Sequence, residues 1–295
     1  MCWTDEGYMD YFSDAGHPAV IARLLHDYDI RPKKGAGQNF FSDPAMLDAI
    51  ADAGLVGKND WVLEIGPGLG ALTQRLAAKG KQVIAAELDR DLLPVLAETT
   101  GGFDNVKILQ RDFLRMQEET LEELFRDAET IRVVSNLPYN ITNEAVQKLL
   151  LSELPIASIT LLLQKEAALR ILAEQGDKQY GITSMMNRYY AESEILFDVP
   201  GECFFPRPGV TSAVIRMIRR QPRPCPSCGK EKLWKTARAC IAMRRKTLTN
   251  NLKAAGFPEE DIHRAFDECG LDGGIRGETL GIDMIVRLAE KLHDA

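Results

Sequence analysis

The chain has 295 residues, 45% hydrophobic and 27% charged, with a formal net charge of −7. This describes a globular protein of one large domain, or one large and one small, and excludes disordered and fibrous classes. No apolar run approaches the roughly 18 residues of a membrane span, the acidic start MCWTDEGYMDYFSDAG has no signal-peptide regions, and six cysteines are too sparse for a disulfide framework, so a cytoplasmic location is expected.

Residues 1–30 read as an N-terminal extension with a short helix over 18–28 that packs on the domain that follows. Ser42-Asp43-Pro44 supplies an N-cap and a proline, which predicts a helix to about residue 53. From residue 61, apolar runs alternate with amphipathic stretches. Strands are expected at 61–66, 82–88, 106–112, 131–137, 157–164, 193–199 and 212–218, and helices at 69–79, 89–98, 142–151 and 165–175. Continuous Val/Ile/Leu runs separated by helices indicate a mostly parallel seven-stranded sheet covered on both faces. The last two runs have no clear helix between them and predict an antiparallel hairpin at one edge. Strand signals stop near residue 220. QPRPCPSCG (221–229) reads as a linker, and helical patterns fill 231–255, 258–269 and 281–293. The expected architecture is a Rossmann-like α/β domain over 31–220 and a small all-α domain over 221–295.

Three strand ends carry candidate ligand-binding residues. LEIGPGLG (63–70) places Gly66, Gly68 and Gly70 between the first strand and a helix, where the backbone must turn sharply and approach a ligand. The spacing is GxGxG, unlike the GxGxxG that seats a pyrophosphate. Glu87 ends the second strand, where an acid accepts from both hydroxyls of a ribose. Asp112 ends the third, within reach of an adenine amino group. Together they describe an adenosine pocket without a phosphate clamp, which suits S-adenosylmethionine, its carboxylate near the N-terminus of helix 69–79.

The fourth strand ends in Asn136-Leu137-Pro138-Tyr139, and in a doubly wound sheet it lies beside the first. An exocyclic adenine amine is a poor nucleophile because its lone pair is delocalised. Acceptors on its two N–H groups would draw it toward tetrahedral geometry. Asn136 offers a side-chain carbonyl, Pro138 favours a turn that points backbone carbonyls into the pocket, and Tyr139 offers a face for stacking a flipped base.

The net charge hides an asymmetry. Residues 219–246 carry ten Lys/Arg and one acid, a local charge of +9, while the remainder is −16. That is the pattern of a polyanion-facing patch on an acidic body.

The chain resembles the ribosomal RNA adenine N6,N6-dimethyltransferase family, in which the small-subunit enzymes have the Erm 23S enzymes and the eukaryotic dimethyladenosine transferases as relatives. The matching blocks are KKGAGQNFF (33–41), LEIGPGLGALT (63–73), VIAAELDR (83–90), RDFL (111–114), NLPYNIT (136–142), FFPRPGVTSAVIRM (204–217) and RRKTLTNNL (244–252). The resemblance implies a class I methyltransferase that uses S-adenosylmethionine to dimethylate N6 of two adjacent adenosines. These lie in the 3′-terminal hairpin of 16S rRNA, and the partner is the immature 30S subunit, met by a monomer. An Erm-like 23S enzyme is the near alternative, and an assembly factor acting mainly by binding is the alternative of another class.

By position, the resemblance places Gln38, Asn39, Phe41, Gly66, Gly68, Glu87, Asp112 and Asn136 at the cofactor. Asn136, Pro138 and Tyr139 would handle the target amine, and Phe205 would stack on the other face of the adenine. Arg244, Arg245 and Lys246 would meet the rRNA backbone, fixing position without reading sequence. Ala36 stands where the family has leucine, and Gly209-Val210-Thr211 replaces Lys-Val-Asp, removing a charge near the RNA side. Cys225 and Cys228, in PCPSCGK, have the shape of a zinc knuckle, but a closed site needs four ligands. Cys240 and His263 fit no standard spacing, so no metal is assigned.

Overall fold

The computed structural model describes residues 13–33 and 38–293. The acidic start (1–12) and residues 34–37 of the GQNF block, Ala36 among them, lie outside the described residues. In chain order the elements begin with α1 (Pro18–Asp27), β1 (Phe40–Phe41), α2 (Pro44–Ala53), β2 (Trp61–Ile65) and α3 (Ala71–Lys79). Next come β3 (Gln82–Glu87), α4 (Leu93–Thr100), β4 (Val106–Gln110), α5 (Glu118–Leu124), β5 (Ile131–Asn136) and α6 (Thr142–Leu151). β6 (Ile156–Gln164), α7 (Lys165–Leu172), α8 (Ile182–Tyr190), β7 (Ala191–Val199), β8 (Phe204–Phe205) and β9 (Ser212–Arg219) follow. The chain ends in α9 (Lys230–Ile241), α10 (Leu248–Ala254), α11 (Glu259–Cys269) and α12 (Ile282–Lys291).

These elements form two compact units. One runs through Ala168 and includes Ser193–Arg219; the other joins Leu169–Glu192 to Arg220 and beyond. The segment 169–192, expected in the α/β domain, thus groups with the C-terminal helices. It contains α8, which the sequence did not announce because Ile182-Thr183 and Tyr189-Tyr190 are weak helix formers. Packing decides instead: Met185, Met186 and Tyr190 are buried.

In the first unit the seven expected strands form one sheet in the order β4-β3-β2-β5-β6-β9-β7. The pairs from β4 to β6 are parallel, and β9 runs antiparallel to β6. β7 and β9 are neighbours at one edge, as the missing crossover helix implied. Leu47 and Ile50 of α2 and Leu72 and Leu76 of α3 form one buried core with Val62, Val83, Val134, Leu162 and Val214 from five adjacent strands. Each such aliphatic side chain contributes roughly 1.5–3 kcal/mol when fully buried. Asp43 caps α2 by accepting from the Met46 N–H at 3.0 Å, with Pro44 in the first turn. A second, unannounced sheet pairs β1 with β8, Phe40 opposite Phe205 and Phe41 opposite Phe204.

The N-terminal segment is an integral part of this unit. Val20, Ile21 and Leu24 of α1 pack with Phe40, Leu69, Leu92 and Val95. Ahead of the helix, Asp14 accepts both Arg75 Nη groups, at 2.5 and 2.6 Å. Gln74 accepts from the Ala15 N–H and donates to Ser13 O and Thr99 O. These bonds fasten residues 13–15 to α3.

In the second unit the helix expected over 231–255 breaks between Ile241 and Leu248. Thr247 caps α10. The buried Asn251 side chain accepts from the Met243 N–H at 2.9 Å and donates to Cys240 O and Met243 O. It replaces the missing ladder bonds, and the turn it stabilises carries Arg244, Arg245 and Lys246. Among the described residues no helix is long and apolar enough to cross a membrane.

Among the described residues, Asp14→Ala leaves the buried Arg75 guanidinium with only Asp48 and a carbonyl as partners. Breaking a buried pair from one side is strongly destabilising, so the variant is expected to lose about 3 kcal/mol in chemical denaturation.

Candidate active site

The site begins where the sheet comes apart. β3 stays paired with β2 as far as Ile65↔Ala86, and β6 with β5 as far as Asn136↔Leu162. Between β2 and β5, however, pairing stops at Leu63↔Val133. This is the point at which the strand order reverses, the expected position of a ligand crevice in an open α/β sheet. The wholly buried Ser135 bridges the gap, its hydroxyl donating to Ile65 O at 2.5 Å. Beyond it the two strand ends enclose a cavity of about 700 Å³, within the usual range for small-molecule sites.

Gly66, Gly68 and Gly70 turn the chain from β2 into α3. Gly66 has φ +72°, and a Cβ there would lie 3.4 Å from the Pro138 ring, so the glycine turn and the Asn-Leu-Pro-Tyr turn pack directly together. Gly70, at φ +85°, precedes α3 without a side-chain cap, leaving first-turn N–H groups and the helix dipole for an anion. The buried Glu87 carboxylate accepts from the Asp89 N–H at 2.8 Å and the Gly68 N–H at 3.2 Å. Burial raises its pKa, and the two N–H bonds partly offset that. Asp112 accepts from the Leu114 N–H at 3.0 Å. Lys148 fixes the same turn by donating to the carbonyls of Phe113, Leu114 and Met116.

On the other wall, Asn136, Leu137, Pro138 and Tyr139 line the cavity in sequence. The Pro138 carbonyl accepts from the Ile141 N–H at 3.2 Å. It is thereby engaged in closing the turn. The Tyr139 hydroxyl lies 3.3 Å from Ser212 Oγ at the buried start of β9, which fixes the ring's direction. Among the described residues no histidine or cysteine lines the cavity.

Gln38, Asn39 and Phe41 also line the cavity. Gln38 is a strap as much as a wall: its amide donates to Asp89 at 2.7 Å and its carbonyl accepts from the Lys33 N–H. Burial alone would raise the Asp89 pKa, but bonds from Lys33 and Gln38 outweigh it and hold the group below its usual value. Phe205 does not line the cavity. It is 51% exposed on β8, opposite Phe40, which does.

The basic window is partly internal. Arg219 is buried and donates to Ser152 O and Leu154 O. Arg220 pairs with Glu192 at 3.0 Å, and Arg223 lies over the Tyr190 ring. Arg244 pairs with Glu278 at 3.0 Å and donates to Tyr180 O and Asp177 O. Arg245 and Lys246 are exposed. Among the described residues no three His, Cys, Asp or Glu side chains form a group that could hold a metal. Cys240 is buried and His263 is exposed beside Glu259.

The family model for ribosomal RNA adenine dimethylase matches residues 30–293. Ribosomal RNA small subunit methyltransferase A of Anoxybacillus flavithermus is 38% identical over 287 residues, 96% of this chain and 97% of its own length. The protein of that name from Geobacillus kaustophilus is 39% identical over 286 residues, covering 95% and 98%. Among solved structures, the 23S rRNA methyltransferase ErmE aligns with a TM-score of 0.62 at 27% identity, covering 86% of this chain and 99% of its own. A Plasmodium falciparum dimethyladenosine transferase aligns at 0.71 and 22%, covering 84% and 95%, a likeness of fold.

Among the cavity residues not singled out from the sequence, Glu64 is the one with the most chemistry. Glu64, in the apolar strand β2, is 1% exposed and lines the cavity, and its Oε2 atom is buried without a hydrogen-bond partner among the described residues. An acid inside WVLEI was the available signal. Burial pushes its pKa up to about 8, with the Glu87 charge adding to the rise and the Thr73 hydroxyl opposing it. A carboxyl whose pKa is raised on folding stabilises most below its unfolded value, and that stability is lost as pH rises through the folded pKa. The ligand-free protein is therefore expected to lose about 2 kcal/mol between pH 6 and pH 8 that Glu64→Gln does not lose, as read by urea denaturation of both proteins.

Proposed function

The chain belongs to the ribosomal RNA adenine dimethylase family, and on that footing we propose which RNA it modifies and how its residues act. It is an S-adenosylmethionine-dependent adenine dimethyltransferase. Its substrate is small-subunit rRNA, methylated twice on N6 of two adjacent adenosines in the 3′-terminal hairpin. The protein works as a cytoplasmic monomer on immature 30S subunits. Identity of 38–39% over nearly the whole chain to proteins named for the small subunit, against 27% to a 23S enzyme, supports this branch.

The cavity residues fit the cofactor. Glu64 has a buried oxygen without a donor among the described residues, which the α-ammonium of the methionine part would satisfy. The uncapped N-terminus of α3 suits its carboxylate. The two N–H bonds fix the Glu87 carboxylate and leave lone pairs for a ribose. Leu88, 65% exposed yet on the cavity wall, offers apolar surface to an adenine whose amino group Asp112 would accept.

S-adenosylmethionine supplies an electrophilic methyl on a sulfonium with a neutral leaving group. Asn136 accepts one N–H of the target amine through its side-chain oxygen. The second acceptor is a backbone carbonyl of the Leu137-Pro138 turn, both of whose residues line the cavity. Pro138 contributes by fixing the turn against Gly66. Tyr139, directed by Ser212, stacks on the adenine, and Phe205 closes over its other face. The amine becomes acidic only as it gains the methyl, so positioning carries the rate and no strong base is needed. In the second unit, Arg245 and Lys246 meet rRNA phosphates, with Arg244 mainly holding their turn.

The observation that carries this reading is that the glycine turn, Glu87, Asp112 and Asn136–Tyr139 all line one cavity. Labelled S-adenosylmethionine is supplied with undermethylated small subunits and, separately, with naked 23S rRNA, and digested nucleosides are read by mass. Dimethyladenosine is expected from the small subunit alone, reduced about a hundredfold or more by Asn136→Ala. Label only on 23S rRNA would place the protein in the other branch. Tight subunit binding without label on either RNA would make it an assembly factor.

A further inference from the structure

A second cavity of about 660 Å³ lies wholly within the helical unit. Tyr180, Arg188 and Tyr189 form part of its wall, with Glu174 and the first turn of α12, including Asp283. Two of its lining residues each carry a buried polar atom without any partner among the described residues: the Tyr180 hydroxyl, on a residue only 2% exposed, and Arg188 Nε. The Nη2 group of Arg188 is already paired with Glu174. An unpaired buried donor is costly, roughly 1–3 kcal/mol each, so a cavity lined by two of them is poised for a ligand that accepts both. Burial pushes the Tyr180 pKa up to about 12, with the Arg188 charge opposing and the Asp283 charge adding to the shift. The hydroxyl is thus a neutral donor under the influence of both a cation and a carboxylate.

A bare phosphate matches this lining poorly, because Arg188 and Arg220 are already paired with Glu174 and Glu192 and the Asp283 carboxylate adds repulsion. A flat group with donors and an acceptor along one edge matches it well. Tyr189 supplies an aromatic wall, its ring set edge-on against Tyr190 at 4.9 Å and Trp234 at 5.8 Å. Stacking on such rings and hydrogen bonding along base edges are how proteins hold unpaired RNA bases. Of the four bases only guanine places two adjacent donors, N1–H and the N2 amine, beside a carbonyl acceptor.

We propose that this cavity takes one unpaired base of the RNA substrate, guanine in preference to the others. The Tyr180 hydroxyl and Arg188 Nε donate to its carbonyl, and Asp283 accepts from its N1–H and N2 amine. The proposal rests on the rRNA reading above and gives the helical unit a base-recognition role alongside its phosphate contacts.

The test uses the full chain saturated with S-adenosylhomocysteine, so that the first cavity is occupied. GMP, AMP, CMP and UMP are titrated separately by calorimetry. GMP is expected to bind saturably and at least about tenfold more tightly than the other three. Tyr180→Phe should weaken GMP about tenfold without lowering the unfolding temperature, since the lost hydroxyl had no partner. Arg188→Lys, which keeps the charge but removes Nε, should weaken it similarly. Absence of saturable GMP binding, equal binding of all four, or unchanged GMP binding by Tyr180→Phe would overturn the proposal. Methyl transfer to small subunits is measured on the same preparation. Transfer without GMP binding sinks only the base site, whereas GMP binding without transfer to any rRNA sinks the functional reading instead.

Discussion

Backbone pairing between β2 and β5 ends at Leu63 and Val133, while each strand continues to pair on its outer side. That local divergence is the constraint on which the site depends. Adjacent parallel strands whose connections leave in opposite directions cannot both be covered at their carboxyl ends, so a crevice opens there. The Ser135–Ile65 bond keeps the gap from becoming an unsatisfied seam. It also sets the separation between the glycine turn and the Asn-Leu-Pro-Tyr turn. A Cβ at residue 66 would stand 3.4 Å from the Pro138 ring, and φ +72° strains any side chain there, so a substitution would disturb both the cofactor wall and the wall that meets the base.

Around this opening the supports are mostly fixed polar bonds. Glu87 is held by two N–H groups, the Asp112 turn by Lys148, Tyr139 by Ser212, and the segment before α1 by Arg75 and Gln74. Each aims a side chain or carbonyl before any ligand arrives. For a reaction that relies on alignment more than on proton transfer, such preorganisation is where a protein contributes most.

Much of this was legible in the sequence because the signals were local. All seven strands of the main sheet announced themselves as short apolar runs, and the glycine, Glu87, Asp112 and Asn136–Tyr139 positions followed from strand ends. What escaped depended on distant partners. Nothing near Ser135 or Ser212 indicates that one bridges two strands and the other directs a tyrosine. Glu64 was hidden by its strand, since one acid in an apolar run is silent about whether it finds a donor. The break between α9 and α10 came from Asn251 bonding back to the preceding turn, a tertiary choice over helix propensity. Charge counting overstated the basic face, because Arg219 is an internal clamp and Arg244 is paired with Glu278.

The claim that the crevice is the cofactor site, with the unpartnered Glu64 oxygen as its anchor, is tested most directly by calorimetric titration of S-adenosylmethionine into the wild type and Glu64→Gln. The measurement is made at pH 7 in two buffers of different ionisation enthalpy. Because burial raises the pKa of Glu64 to about 8 in the free protein, a cationic ligand should displace its proton. The wild type should release close to one proton more on binding than Glu64→Gln, which should also bind about tenfold or more weakly. Equal affinity and equal proton release in the two proteins would show that Glu64 does not meet the ligand and that the cofactor is held elsewhere.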